Sequence, residues 1–396
     1  MRSVHLLGAG AHPWGKFPGK SQVELARFAI AEALGDAGRE WREVEAMVAA
    51  SSRFEGGMGW GLHANEIVQN SSEHGMTCIN VGGACAAGAI AFTTAHALVA
   101  SGQCDLAIAV GAERMPKGFI ARPPGGADDA GDHDFVRWRA LGATNPVYWA
   151  MEARRRQHDH GTSARTFAQA SVLMHDNAIG NRRARYRKAC TVEEVLASPE
   201  VADPLHLLEI CAVSDGAAAV VLGSERYARE SGGRALRVAG CAAATGTFGD
   251  PAMRIPMVSG NPREGGTHTS EVVNAVNRAM AMAGIGHADV DLLEIADNSV
   301  WQILAWPELF GFAEPGQADW MLEHGRLGID GDLPVNPSGG FLSFGEATTA
   351  QALLQVCEVA WQLRGEAEGH QVPDAKVGMT AVLGLGANGG SVILQR

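Results

Sequence analysis

An internal repeat constrains this chain more than any other feature. Residues 24–51 read ELARFAIAEALGDAGREWREVEAMVAAS, and residues 271–297 read EVVNAVNRAMAMAGIGHADVDLLEIAD. In each, apolar residues recur at three- and four-residue spacing, Ala-Gly follows, and a short polar loop leads into an apolar run. The spacing predicts an amphipathic helix, the glycine its stop, and the run a buried strand. A second pair comes later. Residues 83–101 read GACAAGAIAFTTAHALVAS and residues 344–363 read FGEATTAQALLQVCEVAWQL. Both are rich in small residues, nearly uncharged, and placed directly after a glycine-containing turn. Helices of that kind are buried. Apolar runs at 106–111 and 379–385 follow them, and runs at 3–8 and 236–240 open the halves.

The repeat predicts two similar α/β halves, about 1–235 and 236–396, with mixed sheets covered by helices. The first half is longer by an insertion at roughly 115–205. It opens with the loop ARPPGGADDAGDHD, and a long irregular insertion in an enzyme is expected to act as a lid or binding element. The chain has 396 residues, enough for one large core or two coupled ones.

A net charge of -12 argues against nucleic-acid binding. With no run of about 18 apolar residues, no membrane span is expected. The start, MRSVHLLGAG, lacks the apolar stretch of a signal peptide. Seven cysteines, without a C-x-x-C pair, argue against a disulfide framework and a metal site. They favour a reducing, cytoplasmic setting. Positive charge is clustered at Arg154, Arg155 and Arg156, and again at Arg182, Arg183, Arg185, Arg187 and Lys188. Such runs are solvated helix faces or a rim that holds a phosphorylated ligand; both readings stand.

Aligning the two buried helices sets Cys85 opposite Glu346. A pseudo-twofold axis between the halves would bring both helix N-termini to one focus. A cysteine there feels the positive end of the dipole and free N–H groups, which favour thiolate and can serve an oxyanion. A small buried cysteine with no chemistry fits the same position. Glu346 reads equally as a base or as an acid that only complements the dipole.

The stretch NVGGACAAGAIAFTTAHALVASGQCDLAIAVGAERM resembles the nucleophile segment of thiolases of the sterol-carrier-protein (lipid-transfer) branch. DPLHLLEICAVSDGAAAVVL and DLPVNPSGGFLSFGEATTAQALLQVCEVAWQLRGEA resemble later blocks of that branch, in the same order. The resemblance implies a five-layered αβαβα thiolase-like fold and a homodimer. It also implies acyl-CoA as ligand, with no permanently bound cofactor and coenzyme A thioester as substrate. It places the nucleophile at Cys85. The branch's His-Asp-Cys-Phe block reads Ala296-Asp297-Asn298-Ser299 here, and its Gly-His-Pro block reads Gly345-Glu346-Ala347. The C-terminal glycine loop persists, and Gly386 within it is expected to offer an oxyanion donor.

A thiolase needs a nucleophile, a base for it, a second acid/base at the substrate α-carbon, and oxyanion donors. The first and last are kept. Glu346 is the candidate replacement base, sharing one proton with Cys85. Asn298 either polarises a carbonyl or ties down a loop, and Asp297 reads as structural. His63, His74 and His96 match no catalytic position of the family. The expected function is an acyltransferase acting through a cysteine acyl-enzyme, with carbon–carbon bond formation or cleavage. One alternative is a lipid-transfer-type retro-aldolase on a CoA-linked side chain, working with a small OB-fold and zinc-ribbon partner. The other is an inactive homologue that binds acyl-CoA or lipid.

Overall fold

A computed structural model describes residues 2–51, 63–72, 74–115, 145–246, 270–384 and 388–396. The first half runs β1 (Val4–Gly15), α1 (Gln22–Ala37), β2 (Ala46–Ala50), α2 (Ala64–Gln69), β3 (Thr77–Val81), α3 (Ala87–Ser101) and β4 (Leu106–Arg114). The insertion follows with α4 (Asn145–His160), α5 (Ala164–Ala178), α6 (Val192–Ala197), β5 (Glu200–Ala202) and β6 (Leu205–His206). Next come β7 (Asp215–Ser224) and α7 (Glu225–Glu230). The second half contains β8 (Leu236–Ala244), α8 (Glu271–Ala283), β9 (Leu292–Ile295), α9 (Val300–Leu309) and α10 (Gln317–Glu323). It ends with α11 (Gly340–Phe344), α12 (Gln351–Arg364), β10 (Val377–Gly384) and β11 (Asn388–Gln395).

The repeat governs this layout. Strand order is β3-β2-β4-β7-β1-β8-β11-β10-β9, so β2-β4-β7-β1 is mirrored by β9-β10-β11-β8. Each half is mixed: β2 pairs in parallel with β3 and β4, and β9 with β10, while the other pairings are antiparallel. The two half-sheets run on into one nine-stranded sheet. They are joined where His5 faces Arg237 and Leu6 faces Leu236. The repeated helices also start and stop alike. Ser21 caps α1 in a capping box with Glu24, and Ser270 caps α8. Gly38 (φ 62°), Gly284 (φ 68°), Gly102 (φ 86°) and Gly365 (φ 73°) end α1, α8, α3 and α12 in the left-handed region.

Alternation along the strands sorts the helices into layers. Leu7, Met47, Ile108 and Val221 face α1, packed on Leu25, Ala29 and Ile30. Leu6, Val48, Ala109 and Val220 face the opposite way, onto Phe92 of α3 and Leu353 and Val356 of α12. In the second half Val238, Leu292 and Val392 share that inner cluster, while Ala239, Leu293, Met379 and Ile393 pack outward on Val272 and Val276 of α8. Five layers result: α1, the first half-sheet, α3 with α12, the second half-sheet, and α8. Residues 84–101 correct one expectation. With mean hydropathy 1.5 they are long and apolar enough to span a bilayer, but here they lie in the central layer.

The inner helices cross closely. A Cβ on Gly88 of α3 would lie 3.0 Å from the Thr349 carbonyl oxygen and 3.2 Å from the Ala352 Cβ. A Cβ on Gly111 of β4 would sit 2.2 Å from the same oxygen. Only glycine permits this approach.

The described part of the insertion carries three helices, two short strands and an irregular stretch at 179–191; its opening loop lies outside the described residues. The first basic run is only partly a solvated face. Arg154 and Arg155 pair near the surface with Asp203 and Asp159. Arg156 is buried and forks onto both Glu308 oxygens at 2.8 Å, with Asp319 at 2.7 Å. That fork ties α4 to α9 and α10.

Candidate active site

Cys85 lies in a 3₁₀ turn, Ala84–Ala86, that leads into α3. Ala84 takes a φ of 49°, a strained value for a residue with a side chain. The end of β10 presses on this turn, since a Cβ on Gly384 would meet the Gly83 carbonyl oxygen at 2.2 Å. The Ala86 N–H closes the turn onto Gly83 and is therefore not free to serve an oxyanion.

The expected helix at residues 344–363 begins instead at Gln351. Glu346 sits before it on extended chain, bridged in parallel to Val213. Its N–H donates to the Ala212 carbonyl at 2.6 Å, and its carbonyl accepts from the Ser214 N–H at 2.8 Å. Gly345 makes the bend with φ 82°, and a Cβ there would lie 2.3 Å from Ser214 Oγ. The dipole argument for Glu346 therefore fails, because no helix starts at it.

The pairing across the repeat is present in the structure. Cys85 Sγ lies 3.2 Å from Glu346 Oε1, in a buried contact between residues 261 apart in the chain. Asn298 Nδ2 donates to the same Oε1 at 3.3 Å. Burial pushes the Glu346 carboxyl above its ordinary value, and the hydrogen bonds from Cys85 and Asn298 pull it part of the way back.

Asn298 and Asp297 follow β9. Asp297 is fully buried and accepts from the N–H groups of Phe341 at 2.6 Å and Leu342 at 3.4 Å. Burial pushes it up to about 8 against those bonds. Its oxygens are taken up in holding α11, as a structural residue would be. Gly386 lies outside the described residues.

The second basic run is not a helix face, and two of its members turn inward. Arg183 stacks over the Trp361 ring at 3.8 Å, with Glu32 at 3.7 Å. Arg185 donates to the Val213 carbonyl at 2.8 Å and to Ser214 Oγ at 3.1 Å. Both are engaged by the protein's own groups. Arg182, Arg187 and Lys188 are exposed.

The sequence reading missed Cys211. It is buried, with Sγ 3.7 Å from Asn298 Nδ2 and its N–H donating to the Asn298 carbonyl at 2.9 Å. Burial, then the charge of Glu346, pushes its thiol well above the usual range. It has no counterpart in the repeat; its only signal was its place in the block DPLHLLEICAVSDG. Among the described residues no group of three or more His, Cys, Asp or Glu side chains is arranged to hold a metal.

Comparison with known proteins agrees with this fold. The "Thiolase, N-terminal domain" family matches residues 7–226 and "Thiolase C-terminal domain-like" matches residues 261–396. An acetyl-CoA acetyltransferase of Methanothermobacter thermautotrophicus is 36% identical, over 100% of this chain and 99% of that protein. Sterol carrier protein 2 of Gallus gallus is 30% identical over 98% of this chain and 70% of its own length. The solved Ltp2-ChsH2(DUF35) aldolase superposes with TM-score 0.82 at 26% identity, covering 99% of this chain and 97% of that one. With both halves matched and a cysteine at the focus between them, this chain belongs to the thiolase family of acyltransferases.

Proposed function

We propose that the protein takes the acyl group of an acyl-CoA thioester onto Cys85, with Glu346 as the base. The 3.2 Å contact between Cys85 Sγ and Glu346 Oε1 carries this reading. One proton satisfies the pair: a thiol donating to a carboxylate, or a carboxyl donating to a thiolate. As sulfur attacks the thioester carbonyl, the thiol proton passes to Glu346. Collapse of the tetrahedral adduct breaks the bond to the CoA sulfur, which takes that proton and leaves as a free thiol. Acyl-Cys85 and an ionised Glu346 remain. Ionised Glu346 then takes a proton from the α-carbon of an acceptor, whose carbanion attacks the acyl carbonyl. The carbon–carbon bond forms as the bond to Cys85 sulfur breaks, and that sulfur recovers the proton from Glu346; the reverse sequence cleaves the bond. A coenzyme A thioester is the substrate, and no resident cofactor enters these steps.

A retro-aldol cleavage of a CoA-linked side chain is the second reading. The likeness to the Ltp2-ChsH2(DUF35) aldolase favours it, and a small OB-fold partner would go with it. Incubation with acetyl-CoA, read by intact mass and peptide mapping, tests the choice. The expected result is one acetyl group on Cys85. Cleavage of a β-hydroxyacyl-CoA without any label would replace the acyltransferase with the lyase. CoA binding with neither outcome would leave a binding protein.

The exposed Arg182, Arg187 and Lys188 are proposed to rim the CoA entrance of a homodimeric enzyme. Exposed charges act weakly and are screened by salt. Replacing all three by alanine is expected to weaken CoA binding roughly threefold to thirtyfold at low salt. Titration calorimetry at two ionic strengths checks this, and equal affinities at low salt would return these residues to a solvated surface.

A further inference from the structure

Four polar side chains meet at the site; acyl transfer as written above uses two, Cys85 and Glu346, and Asn298 donates to the second of them. The fourth is Cys211. We propose that Cys211 is a positioning residue whose thiol holds the Asn298 NH₂ on the ionised Glu346 carboxylate. The inference rests on the acyl-enzyme reading and deepens it.

One short strip of chain reaches both residues. Ile210 bridges Ser299, and the Cys211 N–H holds the Asn298 carbonyl at 2.9 Å. Ala212 and Ser214 hold the Glu346 backbone at 2.6 and 2.8 Å. Arg185 secures the strip from the insertion through Val213 and Ser214. The backbone bonds fix where Asn298 and Glu346 stand, and they leave the rotation of the Asn298 amide unset. The Cys211 thiol is placed to set it, with Sγ 3.7 Å from Asn298 Nδ2 while that nitrogen is 3.3 Å from Glu346 Oε1.

A thiol both accepts and donates weak hydrogen bonds. While Glu346 is ionised, the Asn298 NH₂ has two hydrogens to place, one on Oε1 and one on the sulfur. Once Glu346 carries a proton it no longer needs that donor, so the thiol's hold on the amide favours the ionised form. Burial keeps the thiol neutral. Serine can accept the same bond, and alanine cannot. The ionisable groups around Glu346 among the described residues are Cys85, Cys211, Asp297 and Arg185. Asp297 is occupied by α11 and Arg185 by the strip, so neither substitutes for the thiol.

The test is the pH dependence of Cys85 alkylation by iodoacetamide, followed by peptide mass spectrometry on the full chain. The rate should rise with pH as Glu346 ionises and accepts the thiol proton. Cys211→Ala loosens the amide that stabilises the carboxylate, so the midpoint should move up by about 0.5–1 pH unit. Cys211→Ser should restore it. Asn298→Ala should shift it likewise, and adding Cys211→Ala to that variant should shift it no further. An unchanged midpoint in Cys211→Ala, or additive shifts in the double variant, overturns the inference and leaves the acyl-enzyme reading standing. If Cys211→Ala does not fold, Cys211→Ser decides: a midpoint like that of Asn298→Ala overturns the inference. A wild-type Cys85 with no pH-dependent alkylation overturns the acyl-enzyme reading, and this inference with it.

Discussion

Cys85→Ala is expected to abolish acyl loading and to cut turnover by at least about 10⁴, the scale seen when a nucleophile is removed from a site that otherwise still binds substrate. The fold should survive. Position 85 sits in a turn flanked by Ala84 and Ala86, so the loss is one buried sulfur atom with little else to rearrange. Nor is a buried charge stranded. The Cys85 hydrogen bond is one of the two interactions that hold the Glu346 carboxyl down against burial. Without it the carboxyl moves further toward its neutral form, which lowers the cost of leaving it inside. Thermal unfolding close to wild type, no label from acetyl-CoA and no turnover is the predicted combination. Turnover of any substrate at the wild-type rate would remove Cys85 from the mechanism.

Glu346→Gln comes second in expected size. The side chain is nearly isosteric and keeps an oxygen for Asn298, so substrate binding should persist while turnover falls roughly 10²–10⁴, the usual contribution of a positioned base. The pH profile gives an independent check. Burial raises the Glu346 carboxyl above its ordinary value. In the wild type, activity should climb as pH rises through that raised value, and the glutamine variant should lack this limb. Stability should behave in the opposite sense. Between the ordinary and the raised value, the folded chain holds a proton that the unfolded chain releases, so stability falls as pH rises. Glutamine removes that decline, and the variant should unfold no earlier than wild type in mildly alkaline buffer. Near-normal turnover in Glu346→Gln would show the carboxylate to be structural.

The most distant contact of the site was legible in the sequence, and several nearer ones were not. Cys85 and Glu346 could be paired because each lies at the same place in a repeated unit, before a helix too apolar to lie anywhere but the centre. The stops at Gly38, Gly102, Gly284 and Gly365 were visible for a similar reason: a left-handed helix end is a local demand met by a local residue. The backbone at Glu346 was not visible, because the bend at Gly345 answers to Ser214, on a different segment. Arg183 and Arg185 read as loose surface charge until the fold supplied Trp361 and the Val213 carbonyl. Cys211 had no repeat partner to draw attention to it.

The glycine crossing between α3 and α12 has a consequence for how such a site tolerates change. Gly88 stands three residues after Cys85, and Thr349 stands three after Glu346. Their contact therefore acts as a gauge block, three residues along the chain from Cys85 and Glu346, that sets how far apart the two halves hold those side chains. The spacing belongs to the crossing, and it leaves the Glu346 carboxylate within reach of the Cys85 sulfur. By the same logic a single methyl at position 88 or 111, touching neither reactant, would reset the gap between them.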